Sequence, residues 1–249
     1  MLAGAVLSLG EDGEVHRREL GGIVAALRPR QGGGAVLGVG RGFALEDPDG
    51  TVRRMPPLWS DEGVRMNEGA CDRQGRFLCG SMAKDQRRGG GALYRLDASG
   101  EVERLLDEVT VSNGLDWSPD GALVYYNDTD TLRIDLFDDE GGELVNRRPF
   151  VDFSDEGFRP DGLTVDSEGG VWVALANGGS VRRYRTDGKL NGVVELPTQK
   201  VTACTLGGSG LDQLFITTSL ENRPDDGIAG SLFRVDVGVR GQPARCFAG

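Results

Sequence analysis

The chain has 249 residues, enough for one large domain, with 39 acidic and 28 basic residues and a formal charge of −11. A net negative surface repels phosphate backbones, which argues against nucleic-acid binding. One histidine and four cysteines without a Cys-x-x-Cys pair argue against a Cys/His zinc site, and the lack of a disulfide framework favours a reducing cytoplasm.

The N-terminal segment, Met1 to Leu9, is apolar but too short to span a membrane. It has no basic start and runs directly into a Gly/Asp turn, so it is predicted to be a strand rather than a signal peptide. No later stretch approaches membrane length. The sequence therefore predicts a cytoplasmic protein with no membrane partner.

Two short units recur along the chain, and both are hairpin-like. One is an apolar strand, an Asp/Gly turn and a strand with Arg, Glu or Val. The other is a polar turn followed by a β-rich apolar strand. Copies of the first occupy residues 4–15, 42–52, 91–102, 133–141, 180–188 and 230–236, and copies of the second occupy 31–39, 72–80, 118–126, 166–174 and 210–217.

A pair of such units makes one four-stranded blade, and their spacing of about 40–50 residues is typical of propellers. Helical periodicity is not evident at length, so the prediction is an all-β, six-bladed β-propeller forming a single domain over residues 1–249. Six copies of one unit against five of the other indicate that the first blade and the ring closure are incomplete. We therefore expect a missing segment before Met1.

The residues that the sequence lacks argue against some kinds of catalytic site. A serine triad needs a histidine, and His16 lies in a polar stretch typical of surface. Oxygen donors remain, in the motifs Arg65-Met-Asn67-Glu68-Gly69, Ser112-Asn113-Gly114 and Pro160-Asp161-Gly162. Each is predicted in a connection before an apolar strand, and equivalent loops of a propeller gather at one end of its channel.

Each motif taken singly is an ordinary Asn-Gly or Asp-Gly hairpin turn. Their recurrence in the same register, about one blade apart, favours instead a site for a hard cation, which carboxylate and amide oxygens bind.

Several segments together resemble the gluconolactonase and regucalcin (senescence marker protein) family. The resemblance runs in order from about Val15 to the C-terminus. The segments that resemble the family are residues 65–77, 90–96, 111–118, 160–166, 171–174, 202–208 and the terminal Phe-Ala-Gly, 247–249.

The resemblance implies a six-bladed propeller that binds one divalent cation, Ca²⁺, Zn²⁺, Mg²⁺ or Mn²⁺, at the channel mouth. It implies Asn113 and Asp161 as metal ligands and Arg65 and Asn67 as substrate-binding residues. Glu68 stands where the family usually has Asp, in the same substrate-binding motif. The family's third ligand, a Glu in an N-terminal Gly-Glu-x-Pro-x-Trp motif, has no match here.

The resulting hypothesis is metal-dependent hydrolysis of a sugar-acid lactone to the aldonic acid, with Asp161 as general base. One alternative is a Ca²⁺-binding propeller without catalytic activity, because the N-terminal Glu ligand is missing. Phosphotriester hydrolysis is a second alternative, but such enzymes usually place His near the metal. A degenerate fragment that folds poorly is a third.

Overall fold

The protein is built from strands, as the lack of helical periodicity predicts. The computed structural model describes residues 4–10, 12–221 and 225–249, and their regular elements are strands apart from a 3-10 turn at Thr129–Thr131. The expected N-terminal strand is confirmed at Ala5–Leu9, while residues 1–3 lie outside the described part. No helix in the described ranges is long and apolar enough to cross a membrane.

Two compact units make up the chain, and the first comprises Met1–Ser112 with Arg245–Gly249. It holds one two-stranded and two four-stranded antiparallel sheets. The two-stranded sheet is β1 (Ala5–Leu9) and β2 (Val15–Glu19). The others are β3 (Val24–Pro29), β4 (Ala35–Val39), β5 (Gly42–Glu46) and β6 (Val52–Arg54), then β7 (Val64–Cys71), β8 (Phe77–Ala83), β9 (Gly91–Leu96) and β10 (Val102–Val109).

The second unit, Asn113–Ala244, holds two four-stranded sheets and one three-stranded sheet. Its first strand begins one residue earlier, at Ser112. The strands are β11 (Ser112–Trp117), β12 (Leu123–Asp128), β13 (Arg133–Glu140) and β14 (Glu143–Asp152), then β15 (Pro160–Val165), β16 (Val171–Leu175), β17 (Ser180–Tyr184) and β18 (Leu190–Glu195), then β19 (Val201–Gly207), β20 (Gln213–Thr218) and β21 (Leu232–Asp236).

The blade count differs from the prediction. The protein is a β-propeller with five blades, which are the sheets of three or four strands, and not a complete six-bladed ring. Strands β1 and β2 pair only with each other among the described residues, and the last repeat copy supplies the single strand β21. The repeat count gave six blades because it included the first hairpin. In the structure that hairpin is β1 and β2, a sheet of two strands rather than a blade of three or four. One domain over 1–249 and a segment before Met1 stay predictions.

Central strands are buried on both faces, which explains their unbroken apolar runs. In β16, Val171, Val173 and Leu175 pack in the core shared with β12 to β15, while Trp172 and Ala174 pack in the core shared with β19 and β20. Side chains alternate along a strand, so each strand supplies two cores. The thiols of Cys71, Cys79 and Cys204 are buried, and Cys246 is partly exposed.

Asp166 shows how a polar turn is stabilised within this apolar packing. Its fully buried carboxylate accepts hydrogen bonds from the Gly170 and Glu168 backbone N–H groups at 2.8 and 3.0 Å. Its other oxygen accepts from Trp172 Nε1 at 2.8 Å and Arg183 Nε at 2.7 Å. A buried charge is tolerated only when its oxygens are satisfied in this way.

Replacing Asp166 by Ala should therefore lower the free energy of unfolding by about 3–5 kcal/mol, because buried donors lose their acceptor. Asp187, also in a hairpin turn, is exposed and accepts bonds from Lys189. Asp187→Ala is the matched control and should cost less than about 1 kcal/mol. Urea unfolding followed by tryptophan fluorescence measures both, and equal losses would contradict the assignment.

Candidate functional site

The three Asn/Asp-containing motifs lie inside strands, not in the connections where the sequence placed them. Asn67 lies in β7, Asn113 in β11 and Asp161 in β15. Each of these is the first strand of its own four-stranded sheet. All three motifs thus lie in the first strand of a sheet, so the prediction that they lie in loops is wrong. That they share one register stays a prediction.

Asn67 and Asp161 occupy irregular positions of their strands. The pairing of β7 with β8 shifts register between Met66 and Gly69, and that of β15 with β16 shifts between Pro160 and Leu163. A bulge of this kind bends the strand and turns a side chain out of the regular alternation. The fold therefore presents these two polar side chains at equivalent, non-alternating positions.

The glycines of these motifs serve close packing rather than a turn. A Cβ on Gly114 would lie 2.6 Å from the Leu163 backbone nitrogen, and one on Gly162 would lie 2.8 Å from Ala203 Cα. Real Cβ atoms do not approach that closely, so the neighbouring first strands β11, β15 and β19 require glycine there. This explains Asn-Gly and Asp-Gly pairs within strands.

A chain of hydrogen bonds joins Asn113 to the start of β15. Asn113 is 7% exposed, and its Nδ2 donates to Thr129 Oγ1 at 2.7 Å. Thr129 Oγ1 in turn donates to the Pro160 carbonyl oxygen at 2.6 Å. Asn113 and the residue preceding Asp161 are therefore linked through one buried hydroxyl.

Asn127 makes a second link to the same strand. This residue is fully buried at the end of β12, and its Nδ2 donates to the Asp161 carbonyl oxygen at 2.7 Å. Its Oδ1 is buried and has no hydrogen-bond partner among the described residues. Sequence reasoning missed Asn127 and Thr129. Their only local sign was the change from apolar to polar residues in Tyr126-Asn127-Asp128-Thr129.

In the first unit, Arg65 and Asn67 form a pair. Arg65 Nη1 donates to Asn67 Oδ1 at 2.7 Å and to the Met66 carbonyl at 3.0 Å. Asn67 Nδ2 donates to the Ser112 carbonyl at 2.6 Å. The amide oxygen thus orients the guanidinium, and the amide nitrogen anchors the pair to the backbone at Ser112.

Glu68 has a different environment. Burial raises the pKa of its carboxyl to about 7, and the Arg28 charge opposes that rise only in part. Burial raises the pKa of the Cys79 thiol to about 12, and the charge of the Glu68 carboxyl also acts to raise it. Glu68 therefore interacts electrostatically with Arg28 and Cys79, whereas Arg65 and Asn67 are joined by a hydrogen bond.

The oxygen donors at Asp161 suit a hard cation that is held by few charged ligands. No group of three or more Asp, Glu, His or Cys side chains that could hold a metal ion occurs within the described residues. The available donors are the Asp161 carboxylate and amide oxygens, which hard cations prefer to nitrogen and sulfur. Asn127 Oδ1 is one further buried oxygen, and it has no hydrogen-bond partner among the described residues.

Fold and site together define a β-propeller with a buried cluster of oxygen donors. Residues 1–220 match the family described as SMP-30/gluconolactonase/LRE-like region, and the chain belongs to this family. Regucalcin of Sus scrofa is 35% identical over 252 residues, covering 95% of this chain and 84% of that protein. Regucalcin of Homo sapiens is 33% identical over 252 residues, with the same coverage of 95% and 84%.

Two solved structures extend the comparison. A calcium-binding protein, regucalcin, from Agrobacterium tumefaciens is 25% identical with a TM-score of 0.92, covering 99% of this chain and 87% of that one. A gluconolactonase from Xanthomonas campestris is 25% identical with a TM-score of 0.73, covering 87% and 76%.

The raised pKa of Glu68 predicts a pH-dependent stability. Its folded-state pKa of about 7 exceeds the ordinary value of 4.5, so the folded protein binds more protons between these values. Stability then falls as pH rises from about 4.5 to 7. Glu68→Gln should raise the free energy of unfolding by about 3 kcal/mol at pH 8 and hardly change it at pH 4.5.

Urea unfolding at the two pH values measures this difference, and Glu101→Gln, an exposed position, is the control. A Glu68→Gln effect of equal size at both pH values would show that the carboxyl titrates normally.

Proposed function

We propose that this protein is a metal-dependent lactonase that hydrolyses a sugar-acid lactone to the aldonic acid. The observation that carries the proposal is the buried network that joins Asn113, through Thr129, to the backbone beside Asp161. The relative from Xanthomonas campestris is described as a gluconolactonase, and the one from Agrobacterium tumefaciens as calcium-binding, which supports both parts of the proposal.

In this proposal Asn113 and Asp161 hold one divalent cation, Ca²⁺, Mg²⁺, Mn²⁺ or Zn²⁺. When bound, the cation polarises the lactone carbonyl and stabilises negative charge on its oxygen. Asn113 contributes a neutral amide oxygen, so Asp161 supplies the charge of this pair. Fewer charged ligands give weaker binding but leave more of the cation's charge to act on substrate.

Asp161 is also the proposed general base. Its carboxylate takes a proton from the water whose oxygen bonds to the carbonyl carbon of the lactone. The bond from that carbon to the ring oxygen then breaks, and the proton passes to the ring oxygen as it becomes a hydroxyl. The link from Asn127 to the Asp161 carbonyl holds the backbone of the base in place.

Arg65 and Asn67 are the proposed substrate-binding residues. Asn67 Oδ1 holds the Arg65 guanidinium, which suits Arg65 for contact with lactone hydroxyl or carbonyl oxygens. Glu68 belongs to the same proposed set through its motif. Because Glu68 interacts electrostatically with Arg28 and Cys79, direct contact with the lactone is less well supported for Glu68 than for Arg65.

The proposed partner and location are those expected from the sequence. The partner is a small lactone, with neither nucleic acid nor membrane involved, and the location is the cytoplasm.

A second candidate function is cation binding without catalysis. The observation favouring it is that the relative from Agrobacterium tumefaciens is described as a calcium-binding protein. Calorimetric titration with Ca²⁺ beside an aldonolactone hydrolysis assay separates the two, because binding without hydrolysis supports the second function alone.

Asp161→Ala should lower lactonase activity by at least about 1,000-fold, because the general base and one cation ligand are lost together. A pH-drop assay with an aldonolactone measures the rate, and an unchanged circular dichroism spectrum confirms folding. Asp187→Ala is the matched control and should keep full activity. Near-full activity of Asp161→Ala would exclude Asp161 as the base.

Asn113→Ala should weaken divalent-cation affinity by at least about 10-fold, because an oxygen ligand is removed. Calorimetric titration with Ca²⁺ and Mn²⁺ measures the affinity. Asn191, an exposed asparagine on β18, provides the control variant Asn191→Ala. Unchanged affinity in Asn113→Ala would remove Asn113 from the ligand set.

A further inference from the structure

Thr129 has a hydroxyl with two partners and only one proton. Its Oγ1 lies 2.6 Å from the Pro160 carbonyl oxygen and 2.7 Å from Asn113 Nδ2. A carbonyl can only accept, so the hydroxyl proton goes to Pro160. Toward Asn113 the hydroxyl can then only accept. The 4% exposure of Thr129 leaves bulk water little access to compete with either bond.

This arrangement decides which end of the Asn113 amide faces Thr129. Amide oxygen and nitrogen are assigned from the hydrogen bonds that they make. The amide oxygen at that place would meet an acceptor lone pair and no proton, so the nitrogen must face Thr129. The Asn113 oxygen is thereby turned to the opposite side of the amide group.

Asn127 provides a parallel contact two residues earlier. Positions 127 and 129 together hold two successive carbonyl groups, those of Asp161 and Pro160. The backbone on both sides of the Pro160–Asp161 peptide bond is therefore fixed by side chains from β12 and the 3-10 turn that follows it.

We propose that Thr129, assisted by Asn127, is a positioning residue of the cation site. Its hydroxyl orients the Asn113 amide so that the oxygen is the atom offered to the cation, and the same hydroxyl anchors the backbone at Asp161. This inference rests on the proposed function, because it assumes that Asn113 and Asp161 bind the cation. Thr129 itself contacts neither cation nor substrate in the proposal.

The test replaces the hydroxyl while keeping the shape of the side chain. Thr129→Val is nearly isosteric and removes both hydrogen bonds, whereas Thr129→Ser keeps the hydroxyl. Partners that orient metal ligands typically contribute 10- to 100-fold in affinity. Calorimetric titration with Mn²⁺ and Ca²⁺ should therefore show affinity about 10- to 100-fold weaker in Thr129→Val and within about 3-fold of the original in Thr129→Ser.

A destabilised control separates positioning from general loss of structure. Leu214 is fully buried in β20, in a different sheet of the same unit. Leu214→Ala should lower the Tm and leave cation affinity unchanged. The proposal is overturned if folded Thr129→Val binds as tightly as the original protein, or if Leu214→Ala loses the same affinity.

A second measurement addresses orientation directly. In an Asn113→Asp background the two carboxylate oxygens are equivalent, so no orienting partner is needed. Only the hydrogen bond from Thr129 to Pro160 then remains to be lost, so Thr129→Val should weaken affinity less in the Asn113→Asp background than with Asn113 present. The double-mutant cycle reports this difference as the coupling, and equal losses in both backgrounds would contradict the orienting role.

The side-chain amide protons of Asn113, observed by NMR without any metal, should shift in Thr129→Val and not in Thr129→Ser. If the original protein binds neither cation, the proposed function fails, and these resonances alone decide the orientation. Unchanged resonances in Thr129→Val overturn the inference independently.

Discussion

Eight hairpin turns of this protein are closed by the same hydrogen bond, from the N–H of a glycine to the carbonyl of the residue three positions earlier. The glycines have φ between +72° and +92°, a region that residues with a Cβ adopt at a cost. They are Gly13, Gly33, Gly50, Gly75, Gly100, Gly121, Gly169 and Gly188. A turn of fixed length fixes strand register, and register decides which side chains enter each core.

A second regularity depends on that register. The first strands β3, β7, β15 and β19 each contain a register shift near the start, at Ala25, Asn67, Asp161 and Thr202 respectively. The scaffold therefore offers the same irregular position several times. In two of these sheets the position carries Asn67 or Asp161, and in the others it carries Ala or Thr. Site and scaffold are thus separable: the bulge belongs to the repeat, and the chemistry belongs to the side chain placed on it.

This separation explains what the sequence could predict. Turn glycines and alternating apolar strands are local patterns, so the hairpins and the all-β class could be read directly. The placement of Asn113 and Asp161 in loops was wrong because Asn-Gly and Asp-Gly are also turn sequences. Gly114 and Gly162 are required by contacts with Leu163 and Ala203, residues some 40 or more positions away, which no local pattern contains.

Blade number and the positioning residues escaped prediction for related reasons. The number of repeat copies gives the number of hairpins. Whether the hairpin β1–β2 joins a larger sheet depends on pairing partners that the repeat does not specify. Thr129 and Asn127 act on Pro160 and Asp161 across 31 and 34 positions.

The choice of an amide as proposed ligand makes these long-range contacts necessary. A carboxylate offers two equivalent oxygens to a cation, whereas an amide offers one oxygen and one nitrogen that repels it. An asparagine ligand therefore needs an acceptor for its nitrogen, and Thr129 Oγ1 supplies that acceptor because its own proton is committed to Pro160. The neutral ligand, the hydroxyl that orients it and the bulged strand that carries Asp161 consequently form one unit, in which a change at any member alters the others.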